Sequence, residues 1–282
     1  SLRLSGAQAE LDDYTRLGAV SVSAQVNGAA ADMLGYVNRS PVADLTGQVL
    51  AQARFGGHAD LALKLKLPLD ALASSSVAGT INLPGNDLQF TPATPLLART
   101  VGQLQFSETG FVVPQASARV YGGELRFDGG MRPGPGGRTD INFQGQGVTS
   151  VDGLRQAREL ADLAPLLASA SGSAPYQVSL AFRQGQADLS VSSSLQGLAL
   201  ALPAPLDKPA ASLLPLRLHS GPIDTGIAAD TDRRSLDQIS LELGTAASPL
   251  AALRYERDLS GPQPRVLRGA LQVGAPPAPQ PP

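Results

Sequence analysis

Two histidines, His58 and His219, are the only imidazoles in the 282 residues, and the chain has no cysteine. Each falls near the end of a predicted strand, and no spacing brings them together, so neither a general base nor a histidine metal site is indicated. Without cysteine, disulfides, thiolate catalysis and zinc–thiolate sites are excluded. Asp12 and Asp13 are neighbours, and neighbours on a strand point to opposite faces. Asp230 and Asp232 share a face. That spacing allows a weak calcium contact, but solvated turn residues are the better reading. The run from Gly129 to Gly137 lacks the Lys-Ser/Thr of a phosphate loop and reads as a hairpin. No Gly-x-Ser-x-Gly elbow offers a hydrolase nucleophile. Asn38-Arg39-Ser40 fits the glycosylation triplet. The expectation is a chain with no catalytic residue, no metal and no cofactor.

Composition narrows the remaining classes. Apolar residues make up 43% and charged residues 16%, well below the roughly 25% of an ordinary soluble domain. The net charge of −2 and the lack of a dense basic run exclude a nucleic-acid footprint and a patch gripping anionic membrane surfaces. Tryptophan is absent and only seven Phe and five Tyr occur, so the apolar content is aliphatic. That argues against a sugar-binding enzyme, whose site would stack on rings. No stretch reaches the roughly 18 apolar residues of a spanning helix. No signal segment opens the chain, and the terminal Ala275-Pro276-Pro277 run reads as a linker. Both ends are expected to be cuts in a longer chain.

The elements that carry these residues announce themselves by period-2 alternation. Leu61, Leu63, Leu65, Leu67 and Leu69 alternate with Ala62, Lys64, Lys66 and Pro68, an apolar rail of roughly 26 Å at strand rise. Val20 to Val26, Leu104 with Phe106, Leu125 with Phe127, Ile141 with Phe143, Val178-Leu180-Phe182, Leu198-Leu200-Leu202 and Ile239-Leu241-Leu243 repeat the device. Turn residues separate the runs at Pro84-Gly85-Asn86-Asp87, Glu108-Thr109-Gly110, Tyr121-Gly122-Gly123 and Gly129 to Gly137. The fold class is all-β, mainly antiparallel, a curved groove-forming series of repeated modules with two short helices.

Those helices are predicted over 29–37 and 151–168. Asp152 is the candidate N-cap of the second, and Pro165 is expected to end or kink it. Each helix is followed by a Gly-x-Ala and then a strand: Gly57-His58-Ala59 before the Leu rail, Gly172-Ser173-Ala174 before Tyr176–Phe182. This weak repeat divides the chain into the end of a preceding module (1–28), a helix-plus-meander module (29–150), a second module (151–275) and a Pro-rich linker (276–282).

Alternation alone serves two readings. The apolar faces form either the closed core of a structural or docking β-sandwich, or an open wall for acyl chains, each buried methylene contributing about 0.8 kcal/mol.

Several segments carry a resemblance. Leu195-Gln196-Gly197-Leu198-Ala199-Leu200-Ala201-Leu202-Pro203-Ala204-Pro205-Leu206-Asp207-Lys208, followed by Leu214-Pro215-Leu216, resembles the L-x-G-L-…-L-P-x-P-L-x-K segment of YhdP-type AsmA-like proteins. Leu65-Lys66-Leu67-Pro68-Leu69, Val77-Ala78-Gly79, Val101 to Phe111 and Tyr121-Gly122-Gly123 are similar to that family's upstream series, as is Ser40-Pro41 after the first helix. The resemblance covers most of residues 29–218. It implies an internal piece of a long periplasmic protein, anchored in the inner membrane of a Gram-negative bacterium. Such a protein would be a bridge of repeated β modules carrying phospholipid between inner and outer membranes. The chain itself would be monomeric and would meet membranes only through other parts of its parent. The family has no catalytic motif. On this reading Leu61, Leu63, Leu65, Leu67, Val178, Leu180, Phe182, Leu198, Leu200 and Leu202 line a surface reached by acyl chains.

Overall fold

The computed structural model describes residues 2–11, 18–39, 50–71, 74–91, 94–133, 139–183, 186–204, 206–223, 236–245, 248–259 and 265–274. Asp12, Asp13, Ser40, Pro41, Gly134 to Gly137, Asp230, Asp232 and the terminal linker lie outside them. The described residues form a mostly antiparallel all-β chain with sixteen strands and three short α-helices. It divides into two compact units, Ser1–Val120 with Glu124–Ile141, and Tyr121–Gly123 with Asn142–Pro282.

The first unit holds β1 (Arg3–Leu11), β2 (Ala19–Ala29), α1 (Ala30–Val37), β3 (Arg54–Phe55), β4 (His58–Pro68), β5 (Ser76–Gln89), β6 (Leu97–Ser107) and β7 (Gly110–Val120), and most of β8 (Gly123–Pro133). Hydrogen-bonded order follows the chain, β1-β2-β4-β5-β6-β7-β8, with β3 added beside β5. The register aligns the alternating residues across strands. Val22 pairs with Leu65 and Leu65 with Val77; Val26 pairs with Leu61, Leu61 with Ile81 and Ile81 with Leu104. Residues directly opposite share a face, so one face is apolar and the other carries Lys64, Lys66, Asn82, Gln103 and Gln105. On the polar face Gln103 Nε2 donates to Asn82 Oδ1 at 2.8 Å and Gln105 Nε2 to Gln103 Oε1 at 3.2 Å, which satisfies amides without a buried partner.

One expectation fails here. Pro84-Gly85-Asn86-Asp87 is not a turn; it lies inside β5, where the ladder to β6 shifts register on either side of Asn86. Bulges absorb the proline and turn the Asn86 side chain inward. Asn86 is fully buried and its Nδ2 donates to Gly56 O at 2.8 Å, which ties β5 to the approach of β4.

The second unit holds most of β9 (Thr139–Ser150), then α2 (Val151–Gln156), a 3-10 segment (Arg158–Leu163), α3 (Ala164–Ala168), β10 (Ala170–Arg183), β11 (Gln186–Ser193), β12 (Leu198–Leu200), β13 (Leu216–Pro222), β14 (Leu236–Thr245), β15 (Ser248–Asp258) and β16 (Arg265–Val273). Its order is β9-β10-β11-β13-β14-β15-β16, with β12 pairing β10 off this path. The single helix expected over 151–168 is three pieces. Ala157 is extended (φ −76°, ψ 115°) and Leu160 is non-helical, so no continuous face joins Leu154 to Leu163. Ser150, not Asp152, is the N-cap: its side chain accepts from Gly153 N at 3.1 Å. Pro165 sits in the first turn of α3, where its missing N–H is unused, so it opens a helix and does not end one. Arg155 holds the pieces together, donating to the carbonyls of Leu167 (2.9 Å) and Ala170 (2.8 Å) and pairing with Asp152 at 2.9 Å.

Candidate functional site

The chemistry-bearing residues stay dispersed. His219 Nε2 lies 3.0 Å from Asp188 Oδ1, and Ser190 faces His219 in the ladder. The pair stands on the polar face of β11 and β13, with the imidazole 46% exposed and its ring nitrogen engaged by the carboxylate. His58, exposed at the start of β4, lies in the other unit. Among the described residues no group of three or more His, Asp or Glu is placed to hold a metal.

The apolar rows have more to offer. In the first unit the row Ala7–Ala24–Leu63–Gly79–Phe106 crosses five strands, flanked on the same face by Ala9–Val22–Leu65–Val77 and Val26–Leu61–Ile81–Leu104. A hollow of about 790 Å³ along the middle row is lined also by Ser23, Gln25, Lys64, Thr80 and Gln105 of the polar face and by no residue of the flanking apolar rows, so it does not belong to the apolar wall. A Cβ on Gly79 would sit 2.4 Å from the Phe106 ring, so the ring lies flat over the glycine and does not stand up from the sheet. Tyr255 lies over Gly269 in the second unit in the same way, a Cβ there meeting the ring at 2.7 Å.

Half-burial is the property that matters. Leu61, Leu63, Leu65 and Leu67 are all half-buried, whereas Ala62, Lys64 and Lys66 between them are exposed. Val178, Leu180 and Phe182 on β10 are likewise half-buried. A face capped by a second sheet would bury its leucines as a sandwich core does. Among the described residues the main contacts of each strand are with its ladder neighbours and the helices.

Both rails start with one device. Gly57 and Gly172 take left-handed φ values of 85° and 93°, where a side chain would meet Asn86 or the Gly197 carbonyl. Two residues on, Ala59 and Ala174 are 2% and 1% exposed, at the same parity as the rails that follow. In the first unit Ala30 N donates to Gly57 O at 2.9 Å, which seats α1 at this end. In the second, Ala174 packs with Val151 of α2, Ala170 and Leu198. Each apolar face is closed at its helix end and half-open beyond it.

This arrangement separates the expected site residues. Leu61 to Leu67 and Val178 to Phe182 lie on the half-open rows. Leu198 is 5% exposed in the closed cluster with Val151, Leu200 packs against that cluster, and Leu202 follows β12 in a half-buried loop. Lys208 completes that cluster. It is 4% exposed, its Nζ donates to Leu198 O at 2.7 Å and Pro209 O at 3.1 Å, and burial holds its pKa below the ordinary lysine value. A lysine among prolines reads as a solvated loop residue, and nothing in the sequence signals this inward role. Tyr121 and Tyr176 are the other unforeseen pair. Burial and the neighbouring Glu159 carboxylate raise the pKa of Tyr121, and burial pushes Tyr176 up to about 12.

The family model for the YhdP protein matches residues 1–282. The chain belongs to the YhdP family. No curated protein and no solved structure matches it. In this YhdP-family chain the family-like Tyr121-Gly122-Gly123 turn has a structural task. Ser150 N donates to Tyr121 O at 3.0 Å, and a side chain at Gly153 would meet that carbonyl at 2.1 Å, so turn and α2 pack backbone to backbone. Leu198 joins the closed cluster with Leu200 packed against it, and Leu200 and Lys208 are bridged to each other.

Proposed function

We propose that this chain is a segment of a periplasmic lipid-transport bridge whose half-open apolar rows carry phospholipid acyl chains between the inner and outer membranes. The observation that carries the reading is the half-burial of Leu61, Leu63, Leu65 and Leu67 on a face continued by Val22, Val77 and Ile81. An aliphatic wall suits acyl chains because burial is non-directional and needs no polar partner. YhdP-family membership supports the carrier reading. Among the described residues no helix is long and apolar enough to cross a membrane.

The reading is tested by titrating the purified chain with a phospholipid carrying a fluorescent acyl tail. The unaltered protein is expected to bind, and Leu63→Asp to lose most binding while its circular dichroism and unfolding midpoint stay near those of the parent. A charge on the wall has no partner for its desolvation. Unchanged lipid binding in a folded Leu63→Asp would refute the assignment.

A further inference from the structure

The apolar face of the second unit changes character along β13, β14 and β15, while β10 and β11 stay apolar through Leu180, Leu189 and Phe182. The row Val178–Val191–Leu218–Leu241–Leu253–Leu271 is wholly aliphatic. The next row, toward the C-terminal end of β13, adds Ser220, Ile239 and Tyr255 to Leu180 and Leu189, and the row after it brings Asp237 opposite Arg257. Successive rows on one face are about 6.7 Å apart, so the face passes from hydrocarbon to full charge within roughly 13 Å. Asp237 and Arg257 share the parity of Leu241 and Leu253, so both charges project from the apolar side.

Their geometry is fixed. Arg257 Nε donates to Asp237 Oδ1 at 2.9 Å, its Nη2 pairs with Asp237 Oδ2, and Nη2 lies 3.5 Å from Ser220 Oγ. The Asp237 side chain is 10% exposed and that of Arg257 25%, so the carboxylate is sealed behind the guanidinium, which keeps an open edge. Beside it, Tyr255 lies flat over Gly269 and is 37% exposed, an aromatic body with a polar tip of the kind that sits at a membrane interface.

We propose that Ser220, Arg257 and Asp237 form the headgroup end of the lipid path, taking a zwitterionic phospholipid with its phosphate on the open edge of Arg257. The proposal rests on the lipid-carrying reading above and adds the class of headgroup. The polarity sequence matches an amphiphile: tails over the leucine rows, glycerol region beside Tyr255 and Ser220, phosphate at Arg257. Charge complementarity selects the class. A guanidinium binds a phosphate through paired N–H donors, but Asp237 has already cancelled its charge. An arriving phosphodiester therefore leaves one negative charge uncompensated unless the headgroup brings its own ammonium.

The experiment compares two phospholipids with identical fluorescent tails, one with a phosphoethanolamine and one with a phosphoglycerol head, bound to the purified chain. The unaltered protein is expected to favour phosphoethanolamine several-fold. Ser220→Lys adds a cation without removing either charge of the pair, and Asp237→Asn removes the compensating anion; each is expected to move the ratio several-fold toward phosphoglycerol. Circular dichroism checks that both variants fold, and Ser220→Lys alone decides the matter if Asp237→Asn does not. A ratio that stays put in folded variants, with both lipids still bound, overturns the headgroup site and leaves the lipid-carrying reading standing. No binding of either lipid to the unaltered protein overturns both.

Discussion

Leu63 and Leu198 look alike in the sequence, each an apolar residue alternating with small or polar neighbours. Their surroundings differ. Leu198 is 5% exposed against Val151, Ala170 and Ala174, and its carbonyl receives the buried Lys208 ammonium. Leu63 is half-buried between Ala24 and Gly79. Truncating Leu198 to Ala is expected to cost about 2–5 kcal/mol, the range for a packed core leucine. At Leu63 the cost should be clearly smaller, since part of the removed side chain already faced solvent. Urea unfolding of the two variants measures the difference, and equal losses would place Leu63 in a closed core. Residue type and parity were legible in both cases. What sits above each leucine was not, because alternation records which side of a strand is apolar and says nothing of what covers it.

At the level of elements, the helical segment of 151–168 is a latch built on polar contacts as much as on its apolar face. Tyr121 comes from the turn before β8, Glu159 from the 3-10 segment and Tyr176 from β10; Tyr176 Oη is buried without a hydrogen-bond partner among the described residues. Both tyrosines have pKa values raised above the ordinary 10.0, Tyr176 to about 12. A raised pKa means the folded state holds its proton after the unfolded state has released it. The linked stability is thus fully present below pH 10 and is lost as pH climbs toward the folded values. The unfolding midpoint is expected to stay level near neutrality and to fall above pH of about 10, with part of the slope removed in Tyr176→Phe. That variant should fold as well as the parent, because it deletes a buried hydroxyl that has no partner. A midpoint unmoved through this alkaline range would contradict the buried placement. The existence of a helical segment was readable from its composition, but its three-part form was not. Ala157 and Leu160 are unremarkable helix formers, and they leave the helix where the Arg155 guanidinium is drawn to the carbonyls of Leu167 and Ala170.

For the molecule as a whole, period-2 alternation and turn residues were enough to give the all-β class, the turns at Glu108-Thr109-Gly110 and Tyr121-Gly122-Gly123, and the alternating runs on β2, β4, β6, β8, β9, β10 and β14, but they did not pick out β5, β7, β15 or β16. They misplaced Pro84 to Asp87, because a bulge and a turn use the same residues. The ion pair of Asp237 with Arg257 was invisible for another reason: two charges twenty positions apart become partners only once β14 and β15 pair in register. The central claim is that the rails are a lipid-facing wall, and it has a face-specific consequence. A photo-crosslinking residue placed in turn at Leu63, Leu65, Lys64 and Lys66 of the full-length protein in cells samples both sides of one strand. The account predicts phospholipid adducts at Leu63 and Leu65 and none at Lys64 and Lys66. Adducts at neither leucine, or equal adducts on the two faces, would contradict it.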